Sequence, residues 1–514
     1  MKSDQFDLLI IGSGYGGSVM AARTAAALPG KTIGLLERGK RFLPGDFPSN
    51  TLSLIKEVKT RFQPLGLFDY KPTESMDILS ANGLGGTSLI NAAVMLRADA
   101  ETFKLWPKDI NSDSLQPFYE KAEAVLKPNS VKTSYPKSEL MKELSKKSGF
   151  AFNAAPVAIN FDSSDRKVCN GCGDCVTGCN IGAKNSLDHN YIRQAENNGC
   201  TIFTAIDVQN LSWDNNLEFP FKVKTAGLVY HAKKVVLSAG VTGSFQILNQ
   251  SAATNQLPLS PTLGKHFSGN LDAISVSVDS NTPTSSLGTS TNKNPPGPTI
   301  MTYLEGRKEG KGFIIQDGSI PSALTGPSLL VALILLLLNP LRLFLAFKKY
   351  GIRLLSETVN NSQVFLLMGY DEAGGILQQK KGRLHIEWNN SGAQKSLIDG
   401  RKQLKKLNTL LGSVYLPNLK ESLASFFPSA TTPITVHALG GVPMGTSVEN
   451  GVVDSYGRVF HIQGNFIPGL RVVDGSICRT SLGCNPSLTI AALAERSAEH
   501  LIAEFISEES SQQI

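Results

Sequence analysis

Near the start of the chain stands Asp7-Leu8-Leu9-Ile10-Ile11-Gly12-Ser13-Gly14-Tyr15-Gly16-Gly17-Ser18-Val19. Asp7–Ile11 is an apolar run of strand length, the glycines follow at once, and Ser18–Ala27 reads as a helix. A second strand, Thr32–Leu36, ends at Glu37. Strand, glycines, helix, strand and acid in this order make a dinucleotide-binding β-α-β unit. Gly12 permits the tight turn, Gly14 lets the backbone approach a pyrophosphate, and Gly17 allows close helix–strand packing. The helix N-terminus faces the anion, and Glu37 can accept from a ribose hydroxyl. The unit alone leaves FAD and NAD both open.

Further glycine-rich segments lie far along the chain: Asn82–Asn91, Gly240–Ser244 after a strand at Lys234–Ala239, and Asp474-Gly475-Ser476 after a strand at Leu470–Val473. Asn485-Pro486 then opens a helix to about Phe505, with Asn at the cap and Pro at the first helical position. Between about Asp272 and Phe427 the texture changes. Asn281–Thr299 reads as a loop, an apolar helix follows, and Gln363–Gly369 and Arg383–Trp388 read as two hairpin strands. The expected fold class is α/β (α+β overall), a Rossmann-type dinucleotide domain interleaved with a substrate domain on an antiparallel sheet. The expected boundaries are 1–125, 165–271 and 428–514 for the first domain and 126–164 and 272–427 for the second.

Composition narrows the function classes. The 514 residues carry 50 Lys+Arg against 43 Asp+Glu, a mild +7 with no long basic run, which speaks against nucleic-acid binding. Hydrophobic residues at 41% and charged residues at 18%, below the average of roughly 25%, suit a folded core rather than a disordered chain. Seven cysteines, four of them within Cys169–Cys179, are no disulfide framework for this length. No basic and apolar leader precedes the first strand, so the expectation is a cytoplasmic protein without a signal peptide. Leu329–Leu338 is a ten-residue apolar run, and apolar character resumes over Leu343–Phe347. A membrane span needs about 20 apolar residues. The 329–347 stretch therefore suits either a peripheral, interfacial helix that covers substrate or a buried core helix.

These segments together resemble the glucose–methanol–choline (GMC) oxidoreductase family, in its bacterial cholesterol-oxidase-like branch. The resemblance rests on Gly12–Val19, Leu84–Asn91, Val236–Gly240, His437-Ala438-Leu439-Gly440-Gly441, Val473–Ser476 and Gly483-Cys484-Asn485-Pro486, in that order along nearly the whole chain. It implies FAD as the dinucleotide. Gly85 and Gly86 would lie along the flavin with Asn91 beside its ring system, Val208 would meet the adenine, and Asp474-Gly475 would approach the pyrophosphate or ribityl chain, with Tyr15, Gly16 and Pro486 in the same cofactor set. His437 would be the catalytic base and Asn485 would stand beside flavin and substrate oxygen, in keeping with a lipophilic alcohol oxidised with O2 or another electron acceptor. A His with an effective pKa near working pH suits removal of a hydroxyl proton. Relatives that act on sterols also carry an isomerising carboxylate. Glu357 and Glu372 lie in the poorly aligned region, and the resemblance assigns that role to neither.

Cys169-x2-Cys172-x2-Cys175-x3-Cys179 has the spacing of a ferredoxin iron–sulfur run, with Asn180 in place of the usual proline. A [4Fe-4S] cluster, a zinc site with four thiolates and a cysteine-rich turn without metal all match this spacing, and Cys200 is a spare thiol. With a cluster, electrons would leave singly to a carrier and the enzyme would be a dehydrogenase.

Overall fold

The computed structural model describes residues 4–512 apart from 163–165, 255, 289–294, 390–393 and 418–431. The expected boundaries at 164/165 and 427/428 lie outside the described residues.

Two large sheets organise the chain. The first has eight strands. Its main path runs Arg458–Phe460, Phe466–Val472, Val229–Leu237, Gln5–Ile11, Ile33–Leu36, Thr201–Phe203, and all but the first of these pairs are parallel. Leu8, Leu9 and Ile10 are fully buried, as a strand covered on both faces requires. The second sheet has six strands, all antiparallel: Val414–Pro417, Ala273–Val278, Gln363–Gly369, Phe313–Gly318, Thr302–Glu305 and Ala151–Ala154. A buried ion pair, Lys137 Nζ to Asp317 at 3.1 Å, pins this sheet. Lys137 also donates to the carbonyls of Pro298 and Thr299 at 2.6 and 2.7 Å, and Asp317 accepts from the amides of Met301 and Thr302. Such a pair persists in the interior only when its remaining donors and acceptors are satisfied in this way.

The first helix spans Tyr15–Ala27 and so begins inside the glycine run, three residues earlier than expected. Close packing explains the early start. A Cβ on Gly16 would lie 1.6 Å from the carbonyl oxygen of Val473, and one on Gly17 would lie 1.9 Å from that of Gly12. The helix can therefore start against two strands at once. Gly12 itself turns with φ +95°, a conformation that L side chains rarely adopt.

Three further expectations are corrected. Gln363–Gly369 and Arg383–Glu387 are strands, but they do not pair with each other. The former sits inside the six-stranded sheet, and the latter makes a separate hairpin with Ile376–Lys380. The apolar helix is two helices, Thr325–Leu337 and Pro340–Tyr350, because Pro340 cannot continue the first and Asn339 caps the second through the Arg342 amide at 3.1 Å. The C-terminal helix runs from Ser487 to Gln512, beyond the expected end near Phe505.

Candidate active site

A single cavity of about 1360 Å³ runs between the two sheets. Its lining includes Gly12, Gly14, Tyr15, Gly16 and Glu37 of the β-α-β unit, and Gly86, Asn91, Val208, Asp474, Gly475, Asn485 and Pro486. Of the residues expected to hold the dinucleotide, only Gly17 and Gly85 stand outside its lining. Gly17 packs behind the loop, and Gly85 donates its amide to Ser13 Oγ at 2.9 Å.

The polar groups among these residues tie loops together. Glu37 accepts from the Ser13 amide at 3.1 Å, the Ser13 hydroxyl at 2.5 Å and the Gly39 amide at 2.8 Å. Asp474 accepts from the Gly240 amide at 2.9 Å, the Ser244 hydroxyl at 2.5 Å and the Ser476 amide at 2.8 Å. Burial raises its carboxyl from the ordinary range against those donors. Asn91 Nδ2 donates to the Tyr15 hydroxyl at 2.9 Å, and burial pushes that phenol up to about 12. Sequence reasoning missed Lys71, which lines the cavity between Asp69 (2.7 Å) and Thr242 (3.0 Å); burial pushes its ammonium down to about 8.

His437 lies two residues after the short strand Ile434–Thr435 and lines the cavity. Its Nδ1 is 2.9 and 3.1 Å from the two carboxylate oxygens of Asp272. Asp272 also accepts from Thr435 Oγ1 (2.9 Å) and from the Val436 and His437 amides (2.9 and 3.1 Å), and its side chain is 1% exposed. A carboxylate that only accepts fixes the tautomer: Nδ1 carries the hydrogen, and Nε2 is left as the acceptor. Nε2 is 3.4 Å from Asn485 Nδ2. The Asn485 oxygen accepts from Gln316 Nε2 at 2.7 Å, which directs its amide nitrogen toward His437. Among the described residues no helix amide donates to that oxygen, so Asn485 is not the N-cap expected of it. Gln316, on a central strand of the antiparallel sheet, thereby turns the Asn485 amide nitrogen toward His437 rather than its oxygen toward the helix.

Asp272 and Gln316 carried no sequence signal, being single polar residues in or beside β-patterned runs. What places Asp272 is an unusual stretch of backbone. Asn270 and Leu271 both have φ +55°, and Asn270 is locked by donating to the Cys484 carbonyl (2.8 Å) and accepting from the Leu482 and Gly483 amides (2.9 and 3.0 Å). Asp371 braces the same turn through Ser268, Gly269 and Leu271. Glu357 and Glu372 do not line the cavity.

The four clustered cysteines line a separate cavity of about 20 Å³ together with Asp174 and Lys184. The structure lends no support to the iron–sulfur and zinc expectations for Cys169, Cys172, Cys175 and Cys179. Among the described residues no three of His, Cys, Asp and Glu are placed to hold a metal ion, and the space is that of about one water molecule. All seven cysteines are free, and burial pushes the thiols of Cys169 and Cys172 up to about 12. The loop instead braces the site. Lys184, fully buried, donates to the carbonyls of Leu89 (2.7 Å), Asn91 (3.0 Å) and Cys175 (2.8 Å), joining the cysteine turn to the Gly85–Asn91 loop.

A GMC oxidoreductase family model matches residues 6–270, and its C-terminal counterpart matches 366–494. The chain belongs to the GMC oxidoreductase family. It is 28% identical to a cholesterol oxidase of Mycobacterium tuberculosis, over 97% of this chain and 91% of that protein. It is 25% identical to a cholesterol oxidase of Acinetobacter baumannii, over 98% and 96%. A long-chain-alcohol oxidase of Arabidopsis thaliana is 21% identical over 95% of this chain and 66% of that one. Among solved structures, pyridoxine 4-oxidase from Mesorbium loti superposes with a TM-score of 0.66 at 15% identity, covering 96% of this chain and 99% of that one. A fungal aryl-alcohol oxidase superposes with 0.61 at 14%, covering 98% and 100%. Both share the fold. The protein is thus an oxidoreductase of a family whose members bind FAD, acting on an alcohol-type substrate. The residues present fit FAD. The side of the Gly14 Cα where a Cβ would stand is open space, with nothing within 4 Å, and it adjoins the N-terminus of the first helix, where a pyrophosphate is favoured.

Proposed function

We propose that the protein oxidises the CH–OH group of a lipophilic alcohol, sterol-like in the first instance and long-chain or terpenoid in the second, with O2 or another acceptor taking the electrons afterwards. The observation that carries this reading is the wall of the cavity. Ile274, Val276, Val278, Val364 and Leu366 of the antiparallel sheet line the same space as His437 and Asn485. Burying an apolar ring system or chain against that wall is favourable at about 25 cal/mol per Å², whereas a sugar alcohol would leave its hydroxyls unpaired there. The cholesterol and long-chain-alcohol oxidases among the relatives support the same substrate class.

FAD, when bound, supplies the hydride acceptor at its N5. The chain's own residues manage the proton and the geometry. The alcohol oxygen is held between Asn485 Nδ2 and His437 Nε2, and Nε2 takes the hydroxyl proton. Asp272 holds the ring at Nδ1 and offsets the positive charge the imidazole gains, a role that requires no proton movement of its own. The C-terminal helix begins at Ser487 beside the cavity and offers its positive end to negative charge developing there. The test is anaerobic mixing of the FAD-loaded protein with sterols, alkanols and sugar alcohols while flavin absorbance is followed. Sterols or long alkanols are expected to bleach the flavin. Bleaching by sugar alcohols alone, or by no member of the panel, would overturn the assignment.

A further inference from the structure

The two apolar helices lie between the ranges matched by the family models, so the family resemblance says little about them. Among the described residues no single helix is long and apolar enough to cross a membrane, and the pair bends by 120° at its break. At 1.5 Å per residue the two helices are about 20 and 17 Å long, short of the roughly 30 Å of a hydrocarbon core. Their inner side is buried, Ala332 and Leu336 on the first helix and Ala346 on the second. Their outer side is not. Leu337, Leu338, Leu341 and Phe344 are 60, 76, 68 and 63% exposed, and Leu330, Ile334, Leu345 and Phe347 extend the same surface. So much contiguous apolar side chain in water marks an interaction surface.

We propose that this surface docks on a lipid bilayer with anionic headgroups and delivers a membrane-dissolved alcohol to the cavity. Three observations choose the bilayer as occupant. The first is charge: from Gly318 to Ser356 there is no Asp or Glu, while Arg342, Lys348, Lys349 and Arg353 are all present. An apolar stretch whose only charged side chains are cations complements anionic headgroups over hydrocarbon. The second is continuity with the cavity. Pro327, Ser328, Val331 and Ala332 on the first helix line it, and Leu324, just before that helix, both lines it and is 37% exposed. The third is a matching neighbour. The short helix Thr51–Lys56 is tied there by Thr51 Oγ1, which donates to the Ala323 carbonyl at 3.0 Å. It exposes Leu52 and Ile55 while Leu54 lines the cavity, and Lys56 adds a fifth cation. An alcohol leaving the bilayer at this rim would pass from hydrocarbon to an apolar wall without crossing water. The proposal rests on the lipophilic-alcohol reading for its purpose, while the surface chemistry stands by itself.

The test is sedimentation of the full-length, FAD-loaded protein with sucrose-loaded vesicles of phosphatidylcholine, alone or with phosphatidylglycerol. The wild-type protein is expected to pellet with the anionic vesicles, and the double variant Leu337→Asp/Leu341→Asp to lose about tenfold or more of that partitioning. Lys348→Glu/Lys349→Glu is expected to lose the preference for phosphatidylglycerol. Flavin absorbance and reduction by a detergent-dispersed alcohol should be unchanged in these variants, since none of the four residues lines the cavity. Wild-type protein that stays in solution with both vesicles, or a double variant that pellets equally well, would overturn the proposal. So would a concentration-dependent dimer dissolved by the same substitutions, since a second copy would then cover the surface. Vesicle binding with no lipophilic alcohol able to bleach the flavin would keep the docking surface and reject only the substrate class.

Discussion

At the scale of single residues the account depends on His437, Asp272 and Asn485. His437 was legible through the family resemblance, in the run His437-Ala438-Leu439-Gly440-Gly441, although Gly440 and Gly441 pack against the His266 carbonyl and Leu377 and do not line the cavity. Asp272 was not legible. Its partnership with His437 spans 165 residues of sequence and is created by two consecutive left-handed residues, Asn270 and Leu271, that no periodicity announces. Asp272→Asn keeps the shape but puts an amide where the ring nitrogen needs an acceptor, and His437 then loses both its tautomer and the charge that offsets imidazolium. We expect flavin reduction by alcohol to slow by about 10²-fold or more with the bound-FAD spectrum and Tm little changed, and the pH profile of reduction to shift. An Asp272→Asn variant that reduces its flavin at the wild-type rate and pH profile would show that the carboxylate is merely structural.

At the scale of elements, the glycine loop and the cysteine loop look alike in sequence, each a run of spaced small or special residues, yet only the first lines a cavity large enough for the ligand its spacing suggested. In the glycine loop Gly17 answers to a near neighbour, the Gly12 carbonyl, while Gly12 and Gly16 answer to distant backbone at Ser238 and Val473, yet the spacing itself is read within one short stretch of sequence. Gly16→Ala would drive a methyl to within 1.6 Å of the Val473 carbonyl oxygen, whereas Gly14→Ala meets nothing within 4 Å. We therefore expect the Gly16 variant to lose stability by roughly 3 kcal/mol or more, read by thermal melting of the apoprotein. The Gly14 variant should melt normally and bind FAD more weakly by titration. In the cysteine loop the deciding fact is distant. Lys184 claims the Cys175 carbonyl and ties the turn to Leu89 and Asn91, and the thiols are left around a space for one water. Protein purified anaerobically is expected to contain no iron or acid-labile sulfide, and Cys172→Ser to reduce its flavin normally. Four irons per chain would refute this structural reading of the loop. The apolar helix illustrates the opposite limit, since Asn339-Pro340 marks the break in the sequence but nothing there reveals which side faces water.

At the scale of the whole molecule, the first sheet collects strands from both ends of the chain around Val229–Leu237, and the second collects strands from Ala151 to Pro417. Interleaving was legible because dinucleotide-binding segments recur at positions remote from one another. Strand pairing within the second sheet was not, since antiparallel partners are chosen by cross-strand packing rather than by sequence proximity. The consequence of this architecture is one cavity with two characters: backbone and polar groups around the parallel sheet, and Ile274, Val276, Val278, Val364, Leu366 and Leu416 of the antiparallel sheet, with His437 lining the same space. The central claim is that a lipophilic alcohol loses its proton to His437 in that cavity as its carbinol hydride leaves. Its most direct test is anaerobic stopped-flow reduction of the flavin by a sterol or long-chain alcohol, protiated or deuterated at the carbinol carbon, in the wild-type protein and in His437→Ala. The wild type is expected to bleach at a rate that deuterium slows, and His437→Ala to do so about 10²–10⁴-fold more slowly with FAD still bound. Bleaching at the wild-type rate in His437→Ala, or none with any lipophilic alcohol in the wild type, would contradict it.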